Sequence, residues 1–193
     1  MTPLDSSRKL LILGTGAFAA SAISLARESG GYEVEGFVES LSRENCQNTL
    51  ADRPILWIEN ISPMAATHKV ICALGTTRRS EIIQQAYACG FTFVTLVHPS
   101  AQLPRESTVG EGSIVSRGCI IAAYTDIGRH VLLNSGCLIG HHVKISDFCT
   151  VSPGANIGGS VTLGEKTYIG MGATVLDHIT IGAGCVVGRF MDG

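Results

Sequence analysis

The sequence predicts an α/β domain followed by a parallel β-helix. Three observations lead to this prediction. Apolar runs alternate with helical segments up to residue 97, and an aliphatic residue recurs at every sixth position from Val109 to Val187. The glycines are also unevenly divided, with seven up to residue 108 and sixteen after it. The two parts of the chain are therefore built differently.

The alternation in the first part is typical of a parallel sheet covered by helices. Strands are predicted at 9–13, 34–38, 70–74 and 91–97, and helices at 20–28 and 79–89. Pro99 and Pro104, set among polar residues, indicate a linker. The predicted boundaries are 1–97 for the first domain, 98–108 for the linker and 109–193 for the second domain.

A hexapeptide repeat defines the second part, because fourteen consecutive sixth positions are aliphatic without an insertion. The members are Val109, Val115, Ile121, Ile127, Leu133, Ile139, Ile145, Val151, Ile157, Leu163, Ile169, Val175, Ile181 and Val187. A period of six fits neither an amphipathic helix nor a sandwich, and it is known from parallel β-helices. Three hexads form a triangular coil of 18 residues, so residues 109–187 predict a prism about 20 Å tall.

A small or β-branched residue follows each aliphatic residue after four positions and is expected to point inward as well. Four cysteines occupy this position and are predicted to fill the core rather than to react. They are Cys119, Cys137, Cys149 and Cys185.

Composition excludes several classes of protein. The chain has 193 residues, a net charge of −2, 45% hydrophobic and 16% charged residues, which argues against disorder and against a basic surface for nucleic acid or anionic membranes. No apolar stretch is long enough to span a bilayer. Seven cysteines, an odd number without CxxC spacing, favour the reducing cytoplasm.

The first glycine turn, Gly14-x-Gly16-x-x-Ala19, fits the dinucleotide-binding fingerprint of a Rossmann-like domain, with Glu39 as a possible ribose ligand. A NAD-dependent dehydrogenase is therefore one alternative. About 108 residues, however, leave room for only one mononucleotide-binding half. A turn that keeps its glycines only for packing is the other alternative.

The hexapeptide repeats resemble those of the left-handed β-helix acyltransferases, and the left hand is implied by that resemblance alone. With the preceding α/β domain, the chain is similar to the sialic-acid O-acetyltransferase (NeuD-type) family, which includes N-acetyltransferases acting on nucleotide-linked amino sugars. The similarity covers nearly the whole chain. The segments that carry it are 14–19 (GTGAFA), 74–77 (LGTT), 97–101 (VHPSA), 133–134 (LN) and 139–141 (IGH).

The resemblance implies that the α/β domain binds a nucleotide sugar. The residues carried over as contacts are Gly14, Gly16, Ala17, Phe18, Glu39, Ser40, Gly75 and Arg78. The family often has glycine and histidine where this chain has Ala17 and Phe18. Arg78 and Arg79 are otherwise expected at a solvated helix start.

His141 and His142 occupy the third and fourth hexad positions, which face outward at a corner of the prism. The resemblance makes His141 the general base that deprotonates the acceptor and then protonates the departing thiolate. The next residue in the family is usually an acid, so His142 predicts a weaker base, another orienting carboxylate such as Asp126 or Asp147, or lost activity. Asn134 matches a family residue near the acceptor.

Coenzyme A in this family lies in a groove between adjacent prisms, which implies a homotrimer with sites between subunits. Thr150, Gly159 and Met171 match positions that line the groove, although several relatives have a second histidine where Thr150 lies. No metal is expected, since joining His142, His178 and His130 in one site would need neighbouring chains.

The sequence thus predicts an acetyl-CoA-dependent acetyltransferase of polysaccharide biosynthesis that acts on an amino group or hydroxyl of a nucleotide-activated sugar. The alternative is a non-catalytic trimeric scaffold or nucleotide-sugar sensor. Residues 188–193 neither complete a coil nor resemble the family's C-terminal segment, so a chain shortened by about one coil is also expected.

Overall fold

The computed structural model describes residues 8–76 and 79–188, and the chain divides into two compact units between Val94 and Thr95. The N-terminal unit contains a five-stranded sheet in the order β3-β4-β2-β1-β5. Its strands are β1 (Lys9–Leu13), β2 (Glu33–Glu39), β3 (Thr49–Leu50), β4 (Arg53–Trp57) and β5 (His68–Cys72). All pairs are parallel except β3 with β4, which confirms the predicted parallel sheet.

Helices α1 (Ala17–Gly30) and α2 (Ser80–Ala88) accompany this sheet. Helix α1 begins at the glycine turn and ends at Gly31, whose φ of 64° supplies the left-handed cap. Short 3₁₀ helices occupy Arg43–Gln47, Ile58–Asn60 and Ser62–Met64. No helix in the described ranges has the length and apolar character needed to cross a bilayer.

Strand β1 lies between β2 and β5. The chain therefore adds β2 on one side of β1 first and adds β5 on the opposite side later. This reversal of direction is where open α/β sheets bind ligands, beside the carboxyl ends of the strands. The loops that follow β1, β2 and β5 meet at this edge. They contain most of the residues predicted to hold a nucleotide sugar.

The C-terminal unit is a prism of two-residue strands in three parallel sheets. Each residue pairs with the one 18 positions away, as Asp126 does with Lys144, which confirms the predicted coil. The strands are β6 (Leu96–Val97), β7 (Thr108–Val109), β8 (Ile114–Val115), β9 (Ile120–Ile121), β10 (Asp126–Ile127), β11 (Leu132–Leu133), β12 (Leu138–Ile139), β13 (Lys144–Ile145), β14 (Thr150–Val151), β15 (Asn156–Ile157), β16 (Thr162–Leu163), β17 (Tyr168–Ile169), β18 (Thr174–Val175), β19 (Thr180–Ile181) and β20 (Val186–Val187). The predicted left hand stays a prediction.

The core of the prism is formed by the repeat, since the aliphatic residues from Val115 to Val175 are all buried and those at its two ends pack against them. Cys119, Cys137 and Cys149 are fully buried, as predicted. Cys185 is exposed, so its prediction as a core residue is wrong. It lies in the last described coil, where no further described coil covers it.

The prism begins at β6, before the predicted linker 98–108, and the linker itself contributes to the prism through Gln102 and Thr108. Leu96–Val97 pairs with Ile114–Val115, and Gln102 forms a bridge with Ile120. The predicted strand 91–97 is therefore divided: Phe93 pairs with Val70 of the N-terminal sheet, and β6 belongs to the other unit. The prolines had suggested a break in structure, but each lies outside the two pairing segments.

Candidate functional site

Two candidate sites follow from this architecture, one in each unit. The first is the edge of the N-terminal sheet where the loops after β1, β2 and β5 meet. The second is the corner of the prism that holds His141 and His142.

The two glycines of the first loop have different surroundings. Gly14 is buried with a φ of 115°, and a Cβ there would lie 2.7 Å from Leu74 Cδ2. Its N–H also donates to Val38 O at 2.9 Å. Gly16 is exposed, has an ordinary φ of −89°, and has nothing within 4 Å of the place a Cβ would occupy. Packing explains Gly14, whereas no contact with the residues that the structure describes requires glycine at Gly16.

The open space at Gly16 lies at the start of helix α1, where backbone N–H groups point away from the helix. Gly16 is the N-cap residue and supplies no side-chain cap, and the first turn contains no acidic residue. Ala17 is exposed and Phe18 half-buried beside it. An anion such as a diphosphate could approach this backbone closely, which is the chemistry the fingerprint predicts.

The loop after β5 is open in the same way at Gly75, which is exposed and has no atom of the described residues within 4 Å of the position that a Cβ would take. Arg78 lies outside the described residues. Arg79 was expected in a solvated helix start, and this prediction is wrong, because its side chain is 1% exposed. Its guanidinium turns inward and donates to Thr76 O at 3.0 Å, which holds the loop against the start of α2.

Glu39, at the end of β2, is 8% exposed and accepts four hydrogen bonds. The donors are Thr15 Oγ1 at 2.8 Å, Ser40 N at 2.8 Å, Leu41 N at 2.8 Å and Asn45 Nδ2 at 3.1 Å. Burial by itself would raise the pKa of Glu39, but these hydrogen bonds together outweigh it, so the pKa lies below its ordinary value. Glu39 is therefore an ionised carboxylate that joins the loops after β1 and β2.

At the prism corner, His141 and His142 are both exposed and their Nδ1 atoms are 3.1 Å apart. The rings are perpendicular, with centroids 5.2 Å apart. Tyr124, one coil earlier, packs against His142 with a centroid distance of 5.0 Å. His142 has a φ of 57°, and this left-handed conformation turns the chain at the corner.

The contact between the two Nδ1 atoms constrains where the protons lie, because one atom must donate and the other accept. If His141 donates through Nδ1–H, its Nε2 has a free lone pair and can accept a proton. His142 is then neutral, with its own proton on Nε2. This arrangement provides an exposed base whose ring is oriented by a neighbouring imidazole.

Neither proposed carboxylate takes the place of the missing acid. Asp147 Oδ2 is 3.2 Å from Arg129 Nε, and Asp147 Oδ1 accepts Arg129 N–H at 2.8 Å. Asp126 Oδ1 accepts the Thr108 hydroxyl at 3.0 Å. Within the described residues, the hydrogen-bond partner of the His141 ring is His142. The prediction that Asp126 or Asp147 orients His141 is therefore wrong: Asp126 begins β10 directly after the corner of Tyr124 but accepts the Thr108 hydroxyl, and Asp147 lies at the next corner with Arg129.

Gly159 lies one coil after His141 and was predicted only as a coenzyme contact. A Cβ at Gly159 would be 2.9 Å from both Cε1 and Nε2 of His141. The imidazole of His141 therefore occupies space that a side chain at position 159 would fill. The carbonyl of His141 accepts Ser160 N–H at 2.8 Å. The roles of Gly159 and Tyr124 beside the histidines could have been found from the 18-residue spacing, which places both in neighbouring coils.

The other predicted residues lie away from this corner. Asn134 begins the face that ends at His141, roughly 15 to 20 Å away at ~3.3 Å per residue, and its Nδ2 donates to Val151 O at 3.1 Å. Thr150 is 1% exposed on another face, and Met171 is 68% exposed at another corner. One prism therefore does not bring Asn134, Thr150 and Met171 to His141.

The buried thiols are not arranged as nucleophiles. The thiols of Cys119 and Cys137 both donate to Asn134 O, at 3.1 and 2.8 Å. The hydrogen bond with Cys119 and burial raise the pKa of Cys137, and burial raises the pKa of Cys72 to about 11. Among the described residues, no group of three or more histidine, cysteine or acidic side chains is placed to hold a metal ion.

Solved structures match this chain over nearly its whole length. A variant of perosamine N-acetyltransferase from Caulobacter crescentus, in complex with CoA and GDP-perosamine, is 28% identical with a TM-score of 0.85, covering 93% of this chain and 85% of that chain. The acetyltransferase domain of PglB from Neisseria gonorrhoeae is 27% identical with a TM-score of 0.77. The match covers 94% of this chain and 91% of the PglB domain. The same domain is also solved with acetyl coenzyme A.

WeeI from Acinetobacter baumannii shares the fold at 19% identity, with a TM-score of 0.72. The match covers 92% of this chain and 94% of WeeI. No family model matches the chain. No curated protein matches it either. The predicted class of sugar acetyltransferase using coenzyme A is confirmed by the first two structures, while the sialic-acid O-acetyltransferase type is not.

Proposed function

We propose that this chain transfers the acetyl group of acetyl-CoA to the amino group of a nucleotide-linked amino sugar, with His141 as the general base. The observation that carries the proposal is the exposed His141, oriented through Nδ1 by His142 and seated over Gly159. The similarity to the perosamine enzyme favours N-acetylation over O-acetylation. The prism is taken to have the left hand of the acyltransferases it resembles.

The nucleotide part of the substrate binds the Rossmann-like N-terminal domain. Its diphosphate lies against the N-terminus of α1, where Gly16, Ala17 and Phe18 leave the backbone open. Ser40 and Gly75, on the loops after β2 and β5, line the same edge. Arg78, outside the described residues, follows Gly75 and is proposed as a phosphate ligand.

The reaction is a direct transfer. The neutral amine attacks the thioester carbonyl carbon, and Nε2 of His141 removes the proton that the nitrogen loses as the C–N bond forms. The tetrahedral intermediate then expels the coenzyme thiolate, which takes the proton from the His141 imidazolium. The products are the N-acetyl sugar nucleotide and free coenzyme A, and His141 returns to its starting state.

The coenzyme site requires a second chain. Gly159 lies beside His141, whereas Thr150, Met171 and Asn134 lie on other faces or corners of the same prism. A groove between two prisms would join these separated positions, so we propose a homotrimer with three sites. Because Thr150 is buried in the single chain, it contributes to the groove by packing. All seven cysteines are free, which favours the reducing cytoplasm.

The second candidate function is a trimeric scaffold that binds a nucleotide sugar without catalysis. It is favoured by His142, which brings no negative charge to the His141 imidazolium. Two measurements on the purified chain separate these functions: calorimetry with coenzyme A, and thiol release from acetyl-CoA with GDP-perosamine and other nucleotide amino sugars. An enzyme binds coenzyme A and releases thiol only when an amino sugar is present. Nucleotide-sugar binding without either result would establish the scaffold.

A further inference from the structure

We infer that Glu39 is a positioning residue, which holds the nucleotide-binding loops in place without contacting the ribose. The inference rests on the proposed nucleotide site. A carboxylate has room for about four hydrogen bonds. Glu39 already accepts four, from Thr15, Ser40, Leu41 and Asn45. A ribose diol would have to displace one of these donors and leave it unpaired, which costs free energy.

The four donors come from two of the three loops at this edge, those after β1 and β2. Thr15 lies between Gly14 and Gly16, so its bond to Glu39 attaches the glycine loop to the end of β2. The N–H of Gly14 strengthens this attachment by donating to Val38 O at 2.9 Å. The position of the open backbone at Gly16 is therefore determined largely by Glu39 and the strand that carries it.

Hydrophobic packing gives the second loop little support of its own. Leu41 is 87% exposed, and Ser40 and Ser42 are only half-buried. The conformation of the loop instead follows from two consecutive N–H groups that donate to one carboxylate oxygen, Oε1 of Glu39. The other oxygen, Oε2, accepts Thr15 Oγ1 and Asn45 Nδ2, so each oxygen holds two donors and replacing either oxygen would release two of them.

The substitution Glu39→Gln tests the inference because glutamine keeps the shape but replaces one acceptor oxygen with a donor. Affinities are measured by calorimetry for guanosine and uridine diphosphates, each as the ribonucleotide and the 2′,3′-dideoxynucleotide, and for coenzyme A. Glu44→Gln, which removes an exposed acid from the same loop, is the matched control. Thr15→Ala, which removes one donor, is the second variant should Glu39→Gln fail to fold.

We expect Glu39→Gln to weaken nucleotide binding about ten-fold, equally for ribo- and dideoxynucleotides, with unchanged affinity for coenzyme A. Thr15→Ala should give a smaller loss of the same pattern, and Glu44→Gln none. A loss confined to the ribonucleotides would overturn the inference, since it indicates direct contact with the ribose hydroxyls. Unchanged binding by Glu39→Gln would overturn it as well. Failure of the wild type to bind any nucleotide would instead refute the proposed function.

Discussion

The imidazole of His141 lies over Gly159, in the space that a side chain at that position would fill. Gly159 cannot easily move away, because its N–H donates to Asp177 Oδ1 at 2.8 Å and its carbonyl accepts His178 N–H at 2.9 Å. The position of the proposed base therefore depends on the absence of a methyl group one coil later.

Gly159→Ala should displace the ring and lower kcat about 10- to 100-fold, since a displacement of about 1 Å can reduce catalysis by that factor. Steady-state thiol release is the measurement. Gly182→Ala is the matched control, because the nearest atom to its Cβ would be Cys185 Sγ at 3.8 Å. Unaltered kcat in Gly159→Ala would show that the observed ring position is not the catalytic one.

His142 should respond differently to two substitutions. His142→Ala removes the Nδ1 acceptor that orients His141, and we expect kcat to fall about ten-fold with KM little changed. His142→Glu supplies a carboxylate that both accepts Nδ1–H and stabilises the imidazolium, so kcat should equal or exceed that of the wild type. The measurement is kcat and KM of the wild type and both variants on one nucleotide amino sugar. Equal losses in both variants would contradict the orienting role.

The two glycines of the first loop should separate stability from binding. Gly16→Ala should leave the free energy of unfolding unchanged or raise it by about 0.4–1 kcal/mol, while nucleotide affinity falls. Gly14→Ala should destabilise by about 1–3 kcal/mol, because its φ is 115° and Leu74 is in the way. Urea unfolding and calorimetry measure the two quantities. Full nucleotide affinity in Gly16→Ala would indicate that the ligand does not approach this backbone.

A half-buried cluster at the opposite ends of the strands predicts a pH dependence of stability. Lys9 Nζ is 2.7 Å from Glu35 Oε1, and His68 Nε2 is 2.8 Å from Glu35 Oε2. The hydrogen bond with Lys9, followed by that with His68, lowers the pKa of Glu35. The stabilisation is thus complete above the unfolded value of about 4.3 and is lost as the pH falls through the lower folded value.

The matched variant is Glu35→Gln, which cannot titrate. The difference in unfolding free energy between wild type and variant should be constant near neutral pH and shrink below about pH 4. Urea unfolding at several pH values measures this difference. A difference independent of pH down to about pH 3 would contradict the assignment.

The period of the sequence was sufficient to predict the prism, because each aliphatic residue has one inward position in an 18-residue coil. It also placed His141 and His142 at an outward corner. The contacts around them depend on side chains in other coils, which the hexad pattern alone does not describe. The ends of the pattern were predicted less well. Leu96–Val97 joins the prism despite the nearby prolines, and Cys185 is exposed because the described prism ends beside it.

Charged residues were the hardest to predict. Arg79 follows another arginine in a polar stretch and was expected in solvent. Its side chain is instead buried, and its guanidinium donates a hydrogen bond to Thr76 O. Glu39 was correctly predicted at the end of a strand, but its hydrogen bonds were not predicted. The donors are Thr15 and three residues between 40 and 45, which no pattern in the sequence pairs with it. The number of hydrogen bonds that Glu39 already accepts within the protein decides whether its carboxylate is available to a ligand.

The central claim is that His141 is the base for acetyl transfer to a nucleotide amino sugar. The most direct test measures thiol release from acetyl-CoA with GDP-perosamine and related amino sugar nucleotides by wild type, His141→Ala and His178→Ala. His178 is an exposed histidine at the same corner, two coils away. We predict that His141→Ala lowers kcat by about 10²- to 10⁴-fold, with substrate binding intact and His178→Ala near wild type. Turnover by His141→Ala at the wild-type rate would contradict the account.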